Sequence, residues 1–377
     1  MSVTVLEEAL EAMEQLTVAA RAAGIEPNQS RTFRLFTTNE VCSFLGKSTT
    51  TIYKCEQMGI IDKPAVNTAT GRRIGYTLGD VNKLRAHFNI KPNKWPSSHD
   101  RDERLSIVAA LYNFKGGVGK TTTTITYGQY LALLGYKVLL IDMDSQGSLT
   151  SLFGKLPDEV DESETVIPYT VKLQHQTLHY AIQNSHIDGL DYICANNDLS
   201  YAEWEGAATI SGEGENGLNY FQRLRNGIDT IKEEYDFILI DAPPSLGIIG
   251  LQTAVAADNL IIPCVPRMLD FASTKQFLSS AVEYVYDFFP EKEFKTIKVL
   301  ATMIDRRPSG NSGFLPIMDS VLGDLKFANE ILSSQSIDNS SAVFQTPWEA
   351  DKPDKRIIQN MRSTFNEITD HLIEGNV

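Results

Sequence analysis

The run Tyr112-Asn113-Phe114-Lys115-Gly116-Gly117-Val118-Gly119-Lys120-Thr121-Thr122 restricts this chain's fold more than any other feature. Its three closely spaced glycines let the backbone curl tightly with N–H groups facing inward, a concave surface suited to a phosphate. Apolar residues 107–111 precede it as a buried strand, and residues 122–134 continue with helical character. The positive end of that helix dipole then adds to the loop. A strand feeding a glycine loop and then a helix is one unit of a parallel α/β sheet. In such a loop Gly116, Gly117, Val118, Gly119 and Thr122 cradle phosphates. Lys120 reaches the outer phosphates and the Thr121 hydroxyl faces Mg²⁺.

Downstream the chain alternates apolar strands with helical patterns. Strands are expected at 107–114, 137–142, 190–194, 236–241, 258–264 and 296–303. Helices are expected at 120–134, 217–234, 248–256, 272–287 and 353–374. The predicted fold class is α/β: a P-loop NTPase with a mostly parallel sheet covered by helices on both faces, and ligands at the carboxyl ends of its strands. Two further strand ends carry carboxylates. Residues 138–141 run into Asp142-Met143-Asp144-Ser145-Gln146-Gly147, and residues 237–240 run into Asp241-Ala242-Pro243-Pro244. A strand-end aspartate can hold Mg²⁺, usually through water, and Asp142 and Asp241 fit that role. Asp144 follows Asp142 by two residues, so it faces the same side further out, where it can orient a water in line with the terminal phosphate. Ala242 stands where motor ATPases place a second acid. No guanine-reading Asn-Lys-x-Asp run is present, which favours ATP over GTP.

At 377 residues the chain exceeds one ordinary domain. Four pieces are expected: an N-terminal helical piece (1–30), a winged helix-turn-helix (31–90), a linker (91–104) and the nucleotide domain with its C-terminal helices (105–377). Residues 4–23 read as one amphipathic helix with Leu6, Leu10, Met13, Leu16 and Ala20 on a stripe, ended by Gly24, Pro27 and Asn28. That stripe can pair with a second copy or fold back on the neighbouring piece. In residues 31–90, Thr38 is a candidate cap for a first helix, Gly46 supplies a turn, and Ser48, Thr50 and Thr51 open a second helix flanked by Lys47 and Lys54. Hydroxyls and lysines at a helix start suit phosphates and base edges. Arg72 and Arg73 sit near the turn of a hairpin wing, and Thr77 caps a further helix.

The net charge of −14 argues against nucleic acid only until its distribution is read. Residues 31–104 hold 13 Lys/Arg against 7 Asp/Glu. Charges are screened over about 8 Å at physiological salt, so this basic segment acts largely apart from the acidic remainder. No apolar run reaches the roughly 20 residues of a membrane helix, and the N-terminus lacks an apolar signal core. Cys42, Cys55, Cys194 and Cys264 are scattered, which gives neither a disulfide framework nor a zinc site and suits a cytoplasmic protein.

Lys115-Gly-Gly-Val-Gly-Lys-Thr-Thr122, Ile141-Asp-Met-Asp-Ser-Gln-Gly-Ser148 and Leu239-Ile-Asp-Ala-Pro-Pro-Ser245 together resemble the three motifs of the deviant Walker A ATPases. Within that group the chain resembles the larger ParA partition ATPases, which carry an N-terminal winged-helix domain of MerR-like layout. The segment Pro266-Arg-Met268-Leu-Asp-Phe-Ala-Ser-Thr274 is also similar, and the resemblance brings Pro266 and Met268 into the nucleotide site. It further implies ATP/ADP and Mg²⁺ as ligands and a homodimer in which Lys115 crosses the interface to the partner's nucleotide. Lys120 and Asp144 would serve hydrolysis. Non-specific DNA would bind through Arg306, Arg307, Lys352, Lys355, Arg356 and Arg362, and operator DNA through the winged helix. A centromere-bound ParB-like partner would stimulate turnover, and the location would be cytoplasmic and nucleoid-associated. Ser145 departs from the proline usual in the family, and no arginine finger in cis is evident.

Three other readings compete. A transcriptional repressor modulated by ATP would bind operator DNA without partner-stimulated hydrolysis. A MinD-like membrane ATPase needs a basic amphipathic C-terminus, whereas residues 366–377 carry Glu367, Asp370 and Glu374. An iron–sulfur reductase needs cluster cysteines that Cys194 and Cys264 do not provide.

Overall fold

A computed structural model of the chain describes residues 3–22, 32–92, 95–96, 104–213, 217–350 and 352–376. Its sheet contains β1 (Ile107–Leu111), β2 (Val138–Asp142), β3 (Gln183–Asn184), β4 (Leu190–Ile193), β5 (Phe237–Asp241), β6 (Asn259–Cys264) and β7 (Thr296–Ala301). The spatial order is β3-β4-β2-β5-β1-β6-β7. All neighbours are parallel except the short edge strand β3, which runs antiparallel to β4. All six expected strands are present. The first stops at Leu111 rather than residue 114, because the chain leaves the sheet there to form the glycine loop. β3 carries only Gln and Asn and so gave no apolar signal.

Period-two alternation explains the two cores. Ile107, Ala109 and Leu111 point into one apolar cluster with Ile125, Leu131, Met361 and Phe365 from covering helices. Val108 and Ala110 point into the other, with Leu199, Leu224, Ile228 and Ile249. Both faces are dry, which is why these strands read as continuous apolar runs. Register then sets the site. Leu111 and Asp142 both pair with Asp241, so three strand ends finish level on one edge. β1 lies between β5 and β6, where the order of connection reverses and a crevice opens.

The helices Lys120–Leu134, Asn219–Asp229, Ile248–Ala256, Met268–Phe288 and Lys355–Asn376 fall where expected, within a few residues. Asp198–Glu213, Leu315–Leu322 and Gln335–Ser341 are additional.

Toward the N-terminus, helix Thr38–Leu45 is capped by Thr37 rather than Thr38, since Glu40 must stand three residues past the cap to return its hydrogen bond. Gly46 turns the chain at φ 61°, and Ser48 caps helix Thr49–Gln57. An antiparallel bridge joins Val66 to Arg73, and Thr77 caps helix Leu78–His87 through Asp80. This region rests on the sheet-bearing part. The buried Arg85 guanidinium donates to Leu133 O at 2.5 Å, Asn82 Nδ2 donates to Asp188 Oδ2 at 2.6 Å, and Trp95 stacks on Tyr136. Arg85 thereby satisfies a carbonyl at the negative end of helix Lys120–Leu134.

Helix Val3–Ala22 exposes Leu10, Met13 and Leu16. Its expected end at Gly24, Pro27 and Asn28, and much of the expected linker 91–104, lie outside the described residues. All four cysteines are free, and three are buried. Among the described residues no helix is long and apolar enough to cross a membrane.

Candidate active site

The glycine loop is held at both ends. Asn113, fully buried, donates to Pro263 O at 2.8 Å and to Thr274 Oγ1 at 2.9 Å, while its own carbonyl oxygen accepts from Lys115 N. Thr302 Oγ1 donates to Val118 O at 2.8 Å from the end of β7. Gly117 and Gly119 adopt φ of 72° and 85°, which a side chain would resist. A Cβ on Gly116 or Gly117 would meet no atom within 4 Å, so both face open space. Lys120 is buried, and its Nζ donates to Lys115 O at 3.1 Å across the loop. Burial lowers its proton affinity below that of an ordinary lysine, against the opposing pull of Asp241 and Asp144.

Asp241 is wholly buried, and its Oδ2 has no hydrogen-bond partner among the described residues. Burial raises its carboxyl well above the usual range and Asp142 adds to this, while Thr121 and Lys120 pull it back. A buried, half-unsatisfied carboxylate beside a threonine hydroxyl and an ammonium is a fitting ligand or water partner for a divalent cation. The open cradle before Gly116 and Gly117 likewise suits a phosphate chain, so these residues fit Mg²⁺ and a nucleoside triphosphate.

Asp142 is also tied into the fold of the neighbouring loop. Its Oδ2 accepts from Thr150 N at 2.9 Å and Thr150 Oγ1 at 2.7 Å, and its Oδ1 accepts from Asp144 N at 3.1 Å. Both oxygens help to shape the loop that carries Asp144, and Oδ1, with a single hydrogen bond, keeps a lone pair for a water. Burial, outweighing these hydrogen bonds, pushes its carboxyl up to about 7. Asp144 itself is half-buried and lines the cleft, with Oδ1 accepting from Gln146 N at 3.0 Å.

That cleft measures about 550 Å³, and its lining includes Gly116, Gly117, Gly119, Lys120, Thr121, Thr122 and Asp144 together with Met303, Ser341 and Phe344. Pro266 and Met268 are not on it. Pro266 is buried, and Met268, the first residue of helix Met268–Phe288, is 72% exposed. Met303 and Phe344 do line the cleft. Both hold left-handed backbone, φ 54° and 55°, a conformation that costs bulky residues about 1–3 kcal/mol and gathers at functional sites. No motif in the sequence marks either.

A family profile described as an AAA domain matches residues 106–289. The sporulation initiation inhibitor protein Soj of Bacillus subtilis is 34% identical over 53% of this chain and 74% of its own length. The chain belongs to the ParA-type partition ATPases. A putative replication protein A of Sinorhizobium fredii is 29% identical over 92% of this chain and 85% of its own. Among solved structures, a partition protein covers 99% of this chain and is itself covered over 98%, with TM-score 0.65 and 18% identity, a likeness of fold. Cobyrinic acid a,c-diamide synthase of Mycobacterium smegmatis, with bound ATP analogue and magnesium, covers 71% of this chain and is covered over 96% (TM-score 0.56, 25% identity).

In this ParA-type ATPase the basic residues named above are scattered in circumstance. Thr50, Lys54 and Arg72 are exposed, while Ser48 and Thr51 hydrogen-bond each other at 2.9 Å within the helix cap. Lys47 Nζ lies 5.1 Å from the Phe88 ring centroid. Arg73 is not a free wing cation. Its Nη2 donates to Glu56 Oε2 at 3.0 Å, its Nη1 to Tyr76 Oη at 3.0 Å, and it lies over the Tyr53 ring. It locks the hairpin to the second helix. Glu56→Ala strands this arginine, and an expected loss of about 2 kcal/mol is measurable by urea unfolding. Arg306 pairs with Glu330 and Arg307 with Asp305. Lys352, Lys355 and Arg356 are exposed, and Arg362 is half-buried.

Proposed function

We propose that the chain is an ATP-driven DNA-segregation switch. The observation that carries this reading is the contrast between the two loop lysines. Lys120 is buried against the loop's own carbonyl, whereas Lys115 is half-exposed and makes no side-chain hydrogen bond or ion pair among the described residues. A cation held at the rim of a phosphate cradle suits a phosphate belonging to another protomer. Two protomers would then share two nucleotides, and closure of the homodimer and binding of ATP become one equilibrium.

Within each site Lys120 and the loop amides hold the phosphates, and Thr121 and Asp241 would hold Mg²⁺. The cation when bound neutralises charge on the outer phosphates. Asp144 orients the attacking water. Without an arginine finger in cis, turnover by the protein alone is slow and leaves room for a centromere-bound ParB-like partner to accelerate it. The ATP-bound dimer holds non-specific DNA through its exposed C-terminal basic residues, chiefly Lys352, Lys355 and Arg356, and hydrolysis releases it. Residues 31–90 form the winged helix-turn-helix that reads operator DNA and represses the protein's own operon. Two capped helices about the Gly46 turn and the Val66–Arg73 bridge support that assignment. The exposed Leu10, Met13 and Leu16 stripe of helix Val3–Ala22 supports self-pairing. The protein would act in the cytoplasm, on the nucleoid.

Sedimentation velocity tests the shared-nucleotide step. The nucleotide-binding part should close into a dimer with Mg-ATP and open with ADP, and Lys115→Ala should abolish the difference. An ATP-dependent change that survives intact in that variant would refute the role of Lys115.

A further inference from the structure

At the edge of the sheet opposite the nucleotide cleft, a cavity of about 1060 Å³ lies between the strands and the N-terminal part. Arg104 ahead of β1 and Lys137 ahead of β2 line it from the strand side, and Arg85 and Lys91 line it from the N-terminal part. No acidic residue is among its described lining. Three carboxylates stand behind that lining. Asp236 Oδ2 lies 3.5 Å from Arg104 Nη1, Asp191 Oδ2 accepts from Lys137 Nζ at 2.6 Å, and Asp188 Oδ2 is taken by Asn82. Four cations against these three acids leave the cavity positive, with the cations in front.

Arg85 is the group that this arrangement leaves short. A guanidinium carries five donors, and only two are used: Nη1 donates to Asn82 Oδ1 at 2.6 Å and Nη2 to Leu133 O at 2.5 Å. Both acceptors are formally neutral. No carboxylate pairs with Arg85 among the described residues, although the residue is only 5% exposed. Burial pushes its proton affinity down to about 10, against the pull of Asp188. A buried charge is ordinarily matched by an opposite one, and the negative end of helix Lys120–Leu134 supplies only about half a charge. Gly135 makes room for the buried side chain, since a Cβ there would stand 3.0 Å from Arg85 Nε.

We propose that this cavity is an anion site for a small polyphosphate, with Arg85 at its floor and Lys91, Arg104 and Lys137 around it. Its size lies at the upper end of ordinary small-molecule pockets, roughly 300–1,000 Å³. Several cations around one cavity suit a ligand with several negative charges. A DNA duplex offers the same phosphates, but it is too stiff and wide to bring its backbone down to a side chain this buried. The ligand would bridge helix Leu78–His87 to the last turn of the helix that begins at Lys120, and so tie the N-terminal part to the nucleotide domain. The inference stands apart from the nucleotide reading, because no residue of this cavity lines the nucleotide cleft.

Isothermal titration of the full chain with inorganic pyrophosphate tests it, in excess Mg-ADP so that the nucleotide cleft is already filled. One pyrophosphate should bind per chain. Arg85→Gln and Lys91→Gln should each weaken it about tenfold or more, since each removes a charged donor. Arg85→Lys, which keeps the charge, should restore most of the affinity. Lys91 makes no contact with Leu133 O, so its variant keeps the test valid if the loss of Arg85 unsettles the fold. No binding to the ADP-filled chain would overturn the proposal, as would equal affinity in the wild type and both glutamine variants. Pyrophosphate that binds only when ADP is left out would belong to the glycine loop and overturn it too. A random-sequence duplex whose affinity falls in the glutamine variants, while pyrophosphate fails to bind, would assign these cations to a DNA backbone and overturn the small-anion site.

Discussion

Lys120→Ala should lose ATP by more than a hundredfold, while the ligand-free protein melts close to the wild type. The first half follows from charge. Lys120 is the one buried ammonium described at the cradle, and losing its charged hydrogen bonds to phosphate costs about 3 kcal/mol or more. The second half follows from its depressed proton affinity. A lysine whose folded pKa lies below its unfolded value holds its charge at a cost when no phosphate is present, and that cost applies at every pH below the folded pKa. Removing it relieves the ligand-free fold of an expensive group and offsets the lost packing. Thermal melting with and without Mg-ATP checks both at once. Wild-type protein should gain the stabilisation of a tight ligand and the variant none. A variant that keeps the ATP-dependent rise in melting temperature would remove Lys120 from the site.

Asp144→Ala should leave ATP binding intact and slow hydrolysis by about 10²–10⁴-fold, the usual contribution of a positioned acid–base group. Asp144 lines the cleft, and the loop beneath it is fixed independently by Asp142 and Thr150. Its loss should therefore remove chemistry and spare architecture. The ATP-bound dimer then persists and keeps its grip on DNA. Single-turnover hydrolysis gives the rate directly, and turnover within tenfold of wild type would exclude Asp144 from the chemical step. Thr150→Ala is a useful companion. It strips Asp142 of a buried hydroxyl donor, so it should disturb both stability and turnover, in contrast to Asp144→Ala.

What could be read from the sequence was local. The glycine loop, the strand ends at Asp142 and Asp241, and six strands are encoded in runs of five to ten residues, where pattern and chemistry coincide. What could not be read depended on distant contacts. Asp142 stands at a strand end in the motif, but the hydrogen bond it accepts from Thr150, eight residues on, is not written there. Arg73 looks like a wing cation until Glu56, 17 residues earlier, is found beneath it. Resemblance alone brings Pro266 and Met268 to the nucleotide, and neither is among the residues that line the cleft. Met303 and Phe344, which line it instead, advertise themselves only by backbone conformation. Helix Asp198–Glu213 escaped because exposed Tyr201 and Trp204 blur the apolar stripe formed by Leu199 and Ala202.

The switch model is tested most directly by the affinity for a random-sequence DNA duplex, measured across salt concentrations with Mg-ATP and with Mg-ADP. The model predicts tight binding with ATP alone, falling steeply with salt as several Lys/Arg–phosphate contacts release counterions. With ADP, binding should be weak at every salt concentration. Equal affinity and equal salt slopes in the two nucleotide states would contradict it.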